Sequence, residues 1–90
     1  MKEANQFELV RELRDLTMER TKAEIATLPG ARKVGESFTG PDWTAEVDEL
    51  PLVEVGSMTF RRLRLTLRGE KEAVTSAWHE LWLKFLRGGA

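Results

Sequence analysis

The stretch VGSMTFRRLRLTLRGE, Val55 to Glu70, decides the fold. Within it Leu63, Leu65 and Leu67 alternate with Arg62, Arg64, Thr66 and Arg68, the two-residue period of a strand with one dry and one wet face. Gly69 ends this strand, and an apolar pattern with helical spacing begins almost at once. Met58 and Phe60 lie in the opposite phase from the leucines. A slip by one residue sends apolar side chains to opposite faces, so the spacing predicts a turn or bulge around Phe60 to Arg62.

On the C-terminal side, Glu70 to Arg87 reads as an amphipathic helix. Val74, Trp78, Leu81 and Phe85 recur at spacings of four, three and four, with Glu70 and Glu72 in the first turn and Lys84 and Arg87 in the last, as the helix dipole prefers. Gly88 is placed to cap it. Trp82 and Leu86 widen the stripe, whereas Leu83 falls about 180° from Val74 on a helical wheel of 100° per residue.

On the N-terminal side, Trp43, Ala45 and Val47 alternate with Thr44, Glu46 and Asp48 as a half-buried strand that ends at Leu50 and Pro51. A further short strand, Leu52 to Val55, leads into Gly56 and Ser57. Arg32 to Thr39 reads as one strand with a bulge at Gly35, followed by a turn at Gly40, Pro41 and Asp42. Pro29 and Gly30 terminate a helical stripe of Met18, Thr21, Ile25 and Leu28 for which Asp15 or Thr17 supplies the cap. The first segment satisfies two periods: Leu9, Leu13 and Leu16 fit a helix, while Phe7, Leu9 and Leu13 fit a strand face with Arg11 as an exception. Periodicity alone favours one long helix from Phe7 to Leu28.

Ninety residues make one small domain with a single core. Lys and Arg number 14 against 15 Asp and Glu, a net charge of -1, so no global field draws the chain to nucleic acid or an anionic membrane. There is no cysteine and one histidine, His79, which removes disulfides, thiolate chemistry and histidine metal clusters from consideration. No apolar run approaches the roughly 18 residues of a membrane span, and the expected compartment is the cytoplasm. Charged residues are 32% of the chain while Asn5 and Gln6 are its only amides, a balance found in heat-adapted proteins.

Four groups of residues invite a chemical reading. Arg62, Arg64 and Arg68 share a strand face flanked by Arg61 and Lys71, a basic patch able to bind RNA or a phosphate. Nucleic-acid sheets interleave aromatics for stacking, whereas this face carries Thr66, and its ordinary use is ion pairing with Glu46 and Asp48. Those two acids, surrounded by arginines, lack the opposed environments that an acid–base pair needs. His79 has no serine or carboxylate fixed beside it, so no catalytic residue is assigned and the chain is not expected to be an enzyme. Trp43 and Trp78 lie where core anchors belong, though three tryptophans also admit a small-ligand cavity between the sheet and the last helix. Trp82, Leu83 and Leu86, off the centre of the apolar stripe, offer a surface to a protein partner or a second copy.

The tail Arg87, Gly88, Gly89, Ala90 is similar to the Gly-Gly terminus of ubiquitin-like sulfur carriers, but Ala90 follows the glycines and the tail leaves a helix, not a strand. Taken together, Gly35 and Glu36, the strand Trp43 to Asp48, the block LPLVEVGSMTFRRLRLTLRGE (Leu50 to Glu70) and a helix ending in RGG resemble the accessory C-terminal domain of MoaD-related proteins, which follows a MoaD-like sulfur-carrier domain of the molybdopterin pathway. The resemblance is to that accessory domain as a stand-alone chain. It implies a TBP-like two-layer α+β fold ordered strand, helix, four strands, helix, with an antiparallel sheet packed on the helices, and it turns Phe7 to about Leu13 into the first strand. It carries over no catalytic residue and no cofactor. It implies an interaction module linked to molybdopterin biosynthesis or sulfur transfer.

Overall fold

The structure, a computed structural model, describes residues 6–88. The elements run β1 (Gln6–Arg14), α1 (Met18–Ala26), β2 (Arg32–Val34), β3 (Ser37–Gly40), β4 (Trp43–Val55), β5 (Met58–Glu70) and α2 (Lys71–Gly88). All five strands join one antiparallel sheet in the order β1-β5-β4-β3-β2. Both helices cover one face of it. The class is α+β, in the order that the family resemblance implied.

The first segment is a strand, against the preference of its periodicity. β1 pairs with β5 along its whole length, Leu9 opposite Leu67 and Leu13 opposite Leu63, a ladder that no local pattern reveals. Arg11 breaks the apolar alternation because its guanidinium lies 5.6 Å from the centre of the Trp78 ring, within cation–π range. Asp15 then turns the chain with φ 62°, its N–H donating to the Arg61 carbonyl at 3.2 Å. Thr17 caps α1, its hydroxyl accepting from the Arg20 N–H at 3.0 Å, one of the donors that a helix start leaves unpaired. The expected stripe holds: Thr21, Ile25 and Leu28 are all buried.

The four strands after α1 match the expected number but are divided differently. Arg32 to Thr39 is two strands joined at Gly35 and Glu36, a hairpin turn where a bulge was expected; φ of 62° at Gly35 suits the tight two-residue connection. Trp43 to Asp48 and Leu52 to Val55 are one continuous 13-residue strand. The irregularity expected near Phe60 to Arg62 lies opposite those residues, on β4. Leu50 pairs with Arg62 and Val53 with Phe60, so Pro51 and Leu52 together face Arg61 alone. Proline has no N–H for the ladder, and the Pro51 carbonyl freed at the bulge accepts from Arg62 Nε and Nη2 at 3.3 and 3.2 Å. β5 keeps its alternation, so Met58 and Phe60 fall on the face away from the helices.

The core lies between sheet and helices. Leu63, Leu65, Leu67, Ile25, Val74 and Leu81 have no exposed surface. Fully burying a leucine stabilises a fold by roughly 1.5–3 kcal/mol, so the leucine row of β5 is a principal source of stability. Gly69 sits at the end of that row with φ 144°, and a Cβ there would stand 2.2 Å from the Asp42 carbonyl oxygen. Its bare backbone lets the β3–β4 turn cross close enough for the Glu70 N–H to donate to that carbonyl at 2.9 Å. The strand continues through Gly69 to Glu70. α2 extends through Gly88, and residues 89 and 90 lie outside the described residues.

Candidate interaction surfaces

The bare face of the sheet carries the arginines. Arg62, Arg64 and Arg68 form a column on β5 flanked on both sides by acids: Glu8 and Glu12 on β1, Glu46 and Asp48 on β4. Arg68 Nε meets Glu8 at 2.9 Å, Arg62 Nη1 meets Glu12 at 3.8 Å and Arg64 Nη2 meets Asp48 at 3.8 Å. Asp48 is thus a partner, as expected, whereas Glu46 stands opposite Thr66. The other two partners come from β1. Read as a strand with Leu9 and Leu13 inward, that segment places Glu8 and Glu12 outward beside β5; read as a helix, it hides the pairing. Arg61 falls on the other side of β5 from this column. The four arginines are therefore not one basic surface.

Trp82 and Leu86, one turn apart on α2, are 47% and 59% exposed. Leu83, expected beside them, is half-buried and contributes less to the surface. Trp78 packs against the core, Trp43 is buried and His79 is exposed. The space between sheet and helices is filled by side chains. A shallow groove of about 240 Å³ lies between α2 and the Pro29 and Pro41 turns, below the roughly 300 Å³ at which small-molecule pockets begin, and a wider hollow of about 600 Å³ lies at the sheet end by Trp43, Arg68 and Glu70.

A second apolar surface was not singled out by the sequence. Beyond Arg62, β5 no longer has β1 beside it, and β4 leaves β3 after Ala45, so the far halves of β4 and β5 form a two-stranded arm. Thirteen residues at about 3.3 Å each span about 43 Å, which accounts for the 50 Å long axis. Val55 and Met58 flank the Gly56–Ser57 turn and are each 60% exposed; Leu52, at the bulge, is equally bare. The signal was legible in principle: VGSM places apolar residues on both sides of a turn, with no third segment in the chain assigned to cover them.

Among the described residues no group of three or more His, Cys, Asp or Glu is placed to hold a metal ion, and no helix is long and apolar enough to cross a membrane. One carboxylate departs from its ordinary acidity: the Glu36 carboxyl is held below the usual range by a hydrogen bond and charge attraction from Lys22, 2.9 Å away, with Lys33 adding to it.

An antiparallel sheet with helices on one face, arginine–carboxylate pairs across the bare face and apolar side chains left exposed defines a two-layer α+β protein. The chain belongs to the family of archaeal MoaD-like proteins, whose model matches residues 10–90. No curated protein matches it.

Proposed function

We propose that the chain is a non-catalytic interaction module of the cytoplasm that docks another protein in sulfur transfer or molybdopterin biosynthesis. Membership of the MoaD-like family supports the pathway. The observation that carries the mode of action is apolar surface left bare in two places, Trp82 with Leu86 on α2 and Leu52, Val55 and Met58 on the arm, beside a core already filled. Large apolar side chains grouped on a small protein's surface are the mark of a site covered by a partner. Docking needs no cofactor, and none is assigned.

The test is affinity capture from an extract of the source cells, with the wild-type chain and the variants Trp82→Glu, Leu86→Glu and Met58→Glu as baits. The expected outcome is recovery of a sulfur-transfer or molybdopterin-synthesis protein by the wild type, diminished by at least one of these exposed-site variants while circular dichroism is unchanged. Recovery of no such protein by a folded wild-type bait overturns the reading.

A further inference from the structure

Two contacts show how α2 sits relative to the sheet edge. Lys71 Nζ lies 5.9 Å from the centre of the Phe7 ring, and the Arg11 guanidinium lies over Trp78. Phe7 and Arg11 both belong to β1, the edge strand, so the flank of α2 that bears Lys71 and Trp78 overhangs that edge. Trp82 and Leu86 continue the same flank at successive turns. Beneath them β1 pairs with β5 over all nine residues, and its other edge has no strand beside it among the described residues. An open edge of this length is a template for another strand.

We propose that this edge and flank are covered by a second copy of the chain, β1 pairing antiparallel with β1 of the copy about a two-fold axis at Arg11, to give a continuous ten-stranded sheet. The proposal rests on the interaction-module reading and names the partner for one of its two surfaces.

Charge and spacing select a second copy and its register. A two-fold axis normal to the sheet keeps each face with its own kind. With the axis at Arg11, Glu8 faces Arg14 of the copy, Val10 faces Glu12, and Leu9 faces Leu13. Sliding by two residues sets Glu8 opposite Glu12 in one direction and Glu12 opposite itself in the other, like charges that oppose pairing. The helices also fit. α2 lies over β1 and β5 alike, so with strands about 4.8 Å apart the axes of the two copies of α2 fall on the order of 10 Å from one another, the distance at which helices pack. Trp82 and Leu86 then lie in the cleft between them. The two Arg11 residues meet at the axis; each guanidinium lies over its own Trp78 ring and donates to its own Val10 carbonyl at 3.0 Å, an acceptor on the open edge that the pairing must share with the Glu12 N–H of the copy. A two-fold contact uses up both edges, so the assembly closes as a dimer.

Sedimentation of the wild-type chain is expected to give twice the 10.3 kDa chain mass, and Trp82→Glu to shift it to monomer with unchanged circular dichroism. The chain has no cysteine, so single cysteines report the register. Opposed residues at such an axis have Cβ atoms about 4.5–5.5 Å apart, and Arg11→Cys is expected to cross-link at least tenfold faster than Glu8→Cys when diamide takes up the two thiol hydrogens. A wild-type chain of 10.3 kDa at every concentration, or equal cross-linking at both positions, overturns the proposal. A monomer that still captures a sulfur-transfer protein removes the dimer and leaves the functional reading standing. A dimer that captures none does the reverse.

Discussion

Between Leu63 and Leu67, β5 turns its leucines toward the helices and they have no exposed surface; between Met58 and Arg62 the same strand carries Met58 and Phe60 on the opposite face and runs out along an arm where Met58 is 60% exposed. Both halves carry large apolar side chains. What separates them is the face they take: α1 and α2 cover the side to which Leu63, Leu65 and Leu67 point, whereas Met58 and Phe60 lie on the uncovered side, and beyond Arg14 and Arg62 β1 no longer flanks the strand. Apolar side chains of one strand thus form a core on one face and stay exposed on the other. An isolated two-stranded ribbon is marginal in water, so the arm draws its order from continuity with the sheet and from the bulge that Arg62 ties to Pro51.

Truncating side chains in each half in turn distinguishes them. Leu65→Ala is expected to cost about 2–5 kcal/mol in urea unfolding, because the site is wholly enclosed and a cavity remains. A cost near zero would show that the leucine row is not the core. On the edge strand beside the covered half, Arg11→Ala removes the stacking on Trp78 and is expected to cost about 0.5–1 kcal/mol, a loss that should vanish in a Trp78→Leu background if the double-mutant cycle isolates that contact. On the arm, Met58→Gln is expected to change stability by less than about 0.5 kcal/mol, the range of surface substitutions. A loss comparable to that of Leu65→Ala would place the arm inside the cooperative core.

The smallest effect concerns pH, far from both halves. Glu36 has its carboxyl pKa lowered by Lys22, so the ionised form is favoured in the folded chain. The sign follows from linkage: the stabilisation is present above the ordinary carboxylate pKa and is lost as pH falls through the lower folded value. Glu36→Gln should therefore lower the Tm slightly at neutral pH and leave it unchanged in strong acid. Because Glu36 is fully exposed, the difference should also shrink with added salt. A difference that persisted in strong acid would point to some role for Glu36 other than this ion pair.

Much of the fold was legible because its signals are local. Alternation of Leu63, Leu65 and Leu67 with arginines, the 4, 3, 4 spacing of Val74, Trp78, Leu81 and Phe85, the Thr17 cap and the Pro29–Gly30 stop each act within a few residues of themselves. The candidate surface on α2 was legible in part, since Trp82 and Leu86 stand off the stripe, but Leu83 is more enclosed than its wheel position implies. The arginine column was seen, and only one of its three acidic partners was. Glu8 and Glu12 were hidden because they belong to a segment whose period fits a helix as well as a strand.

The sequence by itself thus determined the periods: which side chains share a face, where α1 starts and stops, and that β5 carries one dry row. Periodicity could not decide that Gln6–Arg14 is a strand, as the family resemblance implied for Phe7 to about Leu13; the tertiary structure decides it, because the ladder to β5 outweighs a helical spacing that local pattern could not reject. It alone joined Trp43 to Val55 across a proline, by placing the extra residue of a bulge opposite Arg61. It alone left the arm bare. A periodic pattern states that a face is apolar; whether that face is covered depends on which side other elements pack and how far they extend, and that is set by contacts between residues distant in the chain.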